Sequence, residues 1–185
     1  MIYLIDHEDS FTFNLAHLLS EFDDVVVSNY YEIDKSKIAK AKIIVLSPGP
    51  GEPKDYPITT KIYNQFKGKK KILGVCLGFQ QILYAEGGKI IQQNKIFHGY
   101  QSVVSILPSS KLFKNIKNLS VCRYHSLKLQ EHFYSNTLKI TMRCKTTKAA
   151  MALEDFTNNV FGFQFHPDSF LTKNGKLLIQ KILSS

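Results

Sequence analysis

The first half of the chain alternates short apolar runs with segments whose apolar residues recur at helical spacing. Ile2 to Ile5, Val25 to Val27, Ile43 to Leu46 and Ile72 to Val75 are unbroken apolar runs of strand length. Between them, Ser10 to Phe22 places Phe11, Leu15, Leu18, Leu19 and Phe22 on one helical face, with Asp9 or Ser10 in position to cap it. Ile58 to Phe66 and Phe79 to Glu86 read as further helices, and Lys173 to Leu183 as a closing one. Continuous apolar strands separated by helices predict a parallel sheet covered on both faces, an α/β fold. The second half is richer in strands: Val103 to Leu107, Ser120 to Arg123, Leu138 to Met142, Ala149 to Leu153 and Val160 to Phe165. Several are short and closely spaced, which predicts a small antiparallel portion. There is no linker, internal repeat or low-complexity tract, so residues 1–185 read as a single domain.

Composition changes this picture little. Of 185 residues, 44% are hydrophobic and 21% charged, an ordinary globular balance. The formal net charge is +9, but the longest basic run, Lys69-Lys70-Lys71, has no interleaved aromatic residues and reads as a solvated surface, not a nucleic-acid interface. No apolar stretch reaches membrane-spanning length. Met1 to Asp6 has no basic residue ahead of its apolar run and reads as a first strand, not a signal peptide. Three scattered cysteines, Cys76, Cys122 and Cys144, form neither a disulfide framework nor a zinc spacing, and they point to a reducing cytoplasm.

Candidate chemistry gathers at four places. In Gly74-Val75-Cys76-Leu77-Gly78 a nucleophilic side chain stands between glycines where a strand meets a helix, the arrangement of a nucleophile elbow. The glycines give a tight turn its room. The helix N-terminus that follows favours a thiolate. In Phe163-Gln164-Phe165-His166-Pro167-Asp168, His166 follows an apolar strand, and Asp168 is spaced to reach back to one ring nitrogen. An imidazole base needs such a carboxylate to hold one tautomer and one orientation. The loop Ser47-Pro48-Gly49-Pro50-Gly51 is stiffened by proline and exposes backbone N–H groups suited to a developing oxyanion. No Gly-Lys-Ser/Thr follows it, which excludes a Walker-type phosphate loop. Arg123-Tyr124-His125-Ser126-Leu127 lies between two strand-like runs. Its His125 lacks a nearby carboxylate and ranks below His166 as a catalytic base.

Taken with Asp6, Asp9-Ser10-Phe11-Thr12 and Asn14-Leu15, and in this order along the chain, these segments resemble class I glutamine amidotransferases. More narrowly, they resemble the glutaminase component of anthranilate synthase and of aminodeoxychorismate synthase. The resemblance runs from end to end. It implies a flavodoxin-like, mostly parallel central sheet with helices on both faces. It also implies Cys76 as nucleophile, His166 as acid and base, and Asp168 in the place usually held by glutamate. The N–H groups of Gly51 and Leu77 would form the oxyanion hole, and Gly49, Pro50, Gly51, Gln80, Ser126 and Leu127 would hold L-glutamine. It implies no cofactor or metal in this chain. Ammonia would pass to a chorismate-binding synthase subunit that carries Mg²⁺, in a hetero-oligomer. Phe79 stands where the family usually has histidine, and Tyr100-Gln101 where it usually has Lys-Thr. Two other readings use the same residues: a stand-alone cysteine hydrolase of γ-glutamyl substrates, and a subunit whose site has weakened.

Overall fold

The computed structural model describes every residue except Lys117 and the side chain of Asn118. The first half runs β1 (Ile2–Asp6), α1 (Thr12–Ser20), β2 (Val25–Asn29), α2 (Lys35–Lys40), β3 (Ile43–Leu46), α3 (Pro57–Phe66), β4 (Lys71–Val75) and α4 (Leu77–Ala85), with a short 3₁₀ turn at Pro53–Asp55. The second half supplies β5 (Ile90–Gln92), β6 (Tyr100–Ile106), β7 (Asn118–Arg123), β8 (Leu127–Leu129), β9 (Lys139–Cys144), β10 (Ala150–Asp155), β11 (Val160–Phe163) and α5 (Gly175–Leu183).

One nine-stranded sheet has the order β2-β1-β3-β4-β11-β10-β9-β6-β7, and β5 pairs with β8 in a separate two-stranded sheet. The pairs from β2 to β11 are parallel. Those from β11 to β7 are antiparallel and extend the same sheet. In β1 the two-residue side-chain period divides the core. Ile2 and Leu4 pack with Leu15, Leu19, Leu178 and Ile182 of α1 and α5, while Tyr3 and Ile5 face Ile38, Ile62, Phe79 and Ile82 of α2, α3 and α4. Helices therefore cover both faces, as the apolar runs predict.

The differences from the sequence reading are local. Helix α1 begins at Thr12 with Phe11 as its N-cap residue, so neither Asp9 nor Ser10 holds that position; the Asp9 carboxylate instead accepts the N–H of Phe11 itself, at 2.8 Å. Strand β11 ends at Phe163, two residues short of expectation, because the chain leaves β4 there and His166 bridges to Cys122 on β7. Helix α2 was not legible: it buries only Ile38 and owes its start to Asp34, whose carboxylate accepts the Ser36 and Lys37 N–H groups at 3.0 Å each. Strands β5 and β8, of three residues each, are too short to show a period.

The elbow depends on two close approaches. A Cβ on Gly74 would lie 2.4 Å from the Gly78 carbonyl oxygen, and one on Gly78 would lie 2.2 Å from that of Leu46. Both positions exclude any larger residue, because backbone atoms cannot step aside. Gly78→Ala is expected to destabilise the chain by about 1–3 kcal/mol or more, as overpacking of a filled core does. Urea unfolding compared with the parent measures it, and an unchanged midpoint would contradict the close packing.

Candidate active site

Strands β4 and β11 are parallel neighbours in register, Gly74 opposite Gly162 and Val75 opposite Phe163. Their carboxyl ends therefore open at one rim of the sheet, the place where ligands sit in open α/β folds. Cys76 follows β4 directly, and its N–H donates to the Phe163 carbonyl at 2.8 Å. Its backbone is held at φ 53°, ψ −101°, a conformation that few side-chain-bearing residues adopt. That turn lifts the side chain out of the sheet at the N-terminus of α4, where the helix dipole favours negative charge.

His166 sits three residues beyond β11, tied to β7 by its N–H to the Cys122 carbonyl at 3.0 Å. Its ring lies between the edges of Phe11 and Tyr124, with centroids 5.0 Å from each. Asp168 is the nearest acid, Oδ1 3.6 Å from Nδ1, and both side chains are shut off from solvent. That separation is an ion-pair distance, longer than a hydrogen bond. Among the described residues, neither ring nitrogen of His166 and neither oxygen of Asp168 has a hydrogen-bond partner. Burial pushes the His166 pKa down, but negative charge at Cys76 and at Asp168 outweighs it and raises the imidazole to about 10. The balance favours the imidazolium form of His166.

A cavity of about 160 Å³ opens in front of Cys76 and takes in Gly49, Pro50, Gly51, Leu77, Gln80, Ser126 and Leu127. All the residues singled out for the oxyanion and substrate positions thus share one space with Cys76. Three of the loop's carbonyls are occupied on the protein side. Ser47 O accepts the Gly78 N–H, Pro48 O the Ser47 hydroxyl and Pro50 O the Tyr56 hydroxyl. In a trans peptide the N–H points opposite its carbonyl, so the Gly49 and Gly51 N–H groups turn away from those acceptors. Among the described residues neither of these two N–H groups, nor that of Leu77, donates to an acceptor in the chain. Behind the cavity Gln80 Nε2 donates to Gln164 Oε1 at 3.1 Å, and Gln164 Nε2 approaches the Cys76 carbonyl at 3.5 Å and its sulfur at 3.9 Å.

His125 lines the cavity but its nitrogens are committed. Nδ1 donates to the Leu127 carbonyl at 2.7 Å, and Nε2 accepts from Arg123 Nε at 2.9 Å. Burial, and next the Arg123 charge, lower its pKa to about 3, so the ring is neutral and structural. Arg123 is fully buried and has no carboxylate partner among the described residues. Its guanidinium lies 3.6 Å over the Phe97 ring and reaches Gln93 Oε1, Ser102 Oγ and Cys144 Sγ. Phe79 is packed in the core on the α3–α4 side, and Gln101 Nε2 donates to the Leu171 carbonyl, tying β6 to the segment after Asp168. Sequence reasoning assigned no role to Tyr124, Phe11 or Gln164. Tyr124 and Gln164 lie within the quoted motifs, but nothing local shows that Tyr124 lines the cavity or that Gln164 joins Gln80 to Cys76.

Among the described residues no group of three or more His, Cys, Asp or Glu converges as a metal site, and no helix is long and apolar enough to cross a membrane.

Two outcomes follow from the charges. By NMR, the His166 imidazole is expected to remain protonated at mildly alkaline pH, and Cys76→Ala to lower its pKa by removing the leading cause that raises it; an unchanged titration would contradict the pairing. For His125 the folded pKa lies below the unfolded value of 6.5. The unfolded chain therefore gains a proton on acidification that the folded chain refuses, and stability present above about pH 6.5 is lost as pH falls toward about 3. Urea midpoints across that window should fall, and fall less in His125→Gln.

The sequence model of the glutamine amidotransferase class-I family matches residues 3–184. Anthranilate synthase component 2 of Lactococcus lactis subsp. lactis is 35% identical over 186 residues, covering 100% of this chain and 94% of that protein. The bifunctional protein TrpGD of Thermotoga maritima is 36% identical over 189 residues; the match takes in 99% of this chain and 32% of that protein, so the chain spans about a third of that relative's length. Among solved structures, a Thermoplasma acidophilum protein described as a candidate component of GMP synthase superposes with a TM-score of 0.85 at 20% identity, covering 99% of this chain and 92% of the other, a likeness of fold. With the match running over essentially the whole chain, and the elbow and its cavity built at the expected rim of the sheet, the chain belongs to the class-I glutamine amidotransferase family.

Proposed function

We propose that the chain is the glutaminase subunit of an anthranilate synthase, releasing ammonia from L-glutamine for a chorismate-binding partner. The observation that carries the reading is the single cavity in which the Cys76 elbow meets Gly51, Leu77, Gln80, Ser126 and Leu127, with His166 and its carboxylate at the same rim. The anthranilate assignment is supported by the name of the Lactococcus lactis relative, which this chain matches over its full length.

The chemistry runs as follows. The Cys76 thiolate attacks the side-chain carboxamide carbon of glutamine; a C–S bond forms, and the carbonyl electron pair moves to oxygen. The N–H groups of Gly51 and Leu77 receive that oxyanion. His166, as imidazolium, gives its proton to the amide nitrogen, the C–N bond breaks and ammonia leaves. A γ-glutamyl thioester remains on Cys76. His166, now neutral, takes a proton from water as the water oxygen attacks the thioester; collapse expels the thiolate and releases glutamate, restoring the starting charges. Asp168 stabilises the imidazolium across 3.6 Å. Gln80 and the Ser126–Leu127 backbone hold the substrate, and Gly49 and Pro50 close the loop over it.

Free ammonia would be protonated in water, so it must pass directly to the aminating partner. That synthase subunit, in a hetero-oligomer, would carry chorismate and Mg²⁺. In the complex, Cys76→Ala is expected to abolish glutamine-dependent amination and leave ammonia-dependent amination intact, measured by anthranilate fluorescence. Loss of both would contradict this division of labour. A complex that forms aminodeoxychorismate instead would keep the amidotransferase chemistry and move the product. Strong hydrolysis of γ-glutamyl peptides by the chain alone would favour a stand-alone hydrolase.

A further inference from the structure

We propose that His7 is a positioning residue for the oxyanion loop, acting through a one-way chain of hydrogen bonds that runs from Thr59 to the Pro48 carbonyl; the inference rests on the reading of Gly51 and its loop as oxyanion donors. His7 follows β1, is wholly buried, and takes no part in the chemistry described above. Its Nδ1 lies 3.0 Å from Ser47 Oγ and its Nε2 2.9 Å from Thr59 Oγ1. Ser47 Oγ also accepts the His7 backbone N–H at 2.9 Å and donates to the Pro48 carbonyl at 2.6 Å.

The proton inventory permits one direction only. A carbonyl oxygen cannot donate, so the single hydroxyl proton of Ser47 is spent on Pro48. Ser47 Oγ must then accept from His7, which places the proton on Nδ1. Burial lowers the His7 pKa to about 4, so the ring is neutral, Nε2 is bare, and the Thr59 hydroxyl donates to it. The chain is Thr59 to His7 to Ser47 to Pro48, each group having a defined role.

Its end point is the plane of the Pro48–Gly49 peptide, and with it the direction of the Gly49 N–H. The His7 ring also packs perpendicular to the Tyr56 ring, centroids 5.0 Å apart, and the Tyr56 hydroxyl holds the Pro50 carbonyl whose peptide carries the Gly51 N–H. The loop sits directly on this support. A Cβ on Gly49 would be 2.6 Å from His7 Cβ and 2.5 Å from Leu77 Cδ2. His7 therefore sets the spacing between the loop that presents Gly51 and the elbow that presents Leu77.

The test uses the complex with its synthase and three variants, His7→Phe, Ser47→Ala and His7→Asn. Two rates are read: glutamine hydrolysis, which passes through an oxyanion, and alkylation of Cys76 by iodoacetamide, which displaces iodide without one. His7→Phe and Ser47→Ala are expected to lower kcat by about tenfold or more, toward the 10²–10³ typical of a lost donor, with a smaller change in KM and an unchanged alkylation rate. His7→Asn, whose amide can donate to Ser47, is expected to recover most of kcat. Unchanged kcat in both disabling variants, or alkylation falling in parallel with kcat, would overturn the role of His7. An unaltered complex that hydrolyses no glutamine would overturn the functional reading along with it, so the two failures are told apart by the parent.

Discussion

The structure depends on the in-register parallel pairing of β4 with β11. Gly74 lies opposite Gly162, and both strands end within one residue of each other. That pairing, with the bridge from His166 to Cys122 on β7, sets at one rim of the sheet a cysteine and a histidine ninety positions apart in the chain. Around it the packing is backbone against backbone: the elbow glycines leave no room for a side chain, and Cys76 keeps a strained φ because both of its flanks are clamped. A shift of register by one residue would turn every side chain of β11 to the other face, and the segment that leads to His166 would be redirected with it.

Two histidines near that cavity show how neighbours, not residue type, decide chemistry. His166 and His125 are both buried, and burial alone would hold both neutral. His166 has negative partners at Cys76 and Asp168 and moves up to about 10; His125 has the Arg123 guanidinium and moves down to about 3. One is drawn toward its charged form, the other is a neutral strut bonded to the Leu127 carbonyl. Arg123 in turn is charged in a pocket that has no carboxylate among the described residues. Its compensation comes from the face of Phe97, from neutral acceptors and from Cys144, whose thiol burial raises but Thr146 and Thr147 hydrogen bonds bring down to about 7.

The proline-glycine loop is ordered by the same principle applied to the backbone. The Gly49 and Gly51 N–H groups are turned outward because the Pro48 and Pro50 carbonyls of the same peptides are held from behind by Ser47 and Tyr56. Donors held in place in advance need no reorganisation when charge develops beside them.

Much of this was legible along the chain. The apolar runs located the parallel strands, helical spacing located four of the five α-helices among the described residues, and the elbow, the Pro-Gly loop and the His-Pro segment each declared a turn. Those features are encoded within a few positions, since side-chain period and turn residues act locally. What remained hidden depends on distant partners. Strands β5 and β8 exist only because they pair with each other, α2 starts on one carboxylate, and Tyr124, Phe11, Gln164 and His7 reach the site from separate segments. The sequence by itself determined which residues can do chemistry and which elements carry them. The tertiary structure decided which of those residues meet, at what distance and in which protonation state, because register, burial and the field of neighbouring charges arise only when strands far apart in the chain lie side by side.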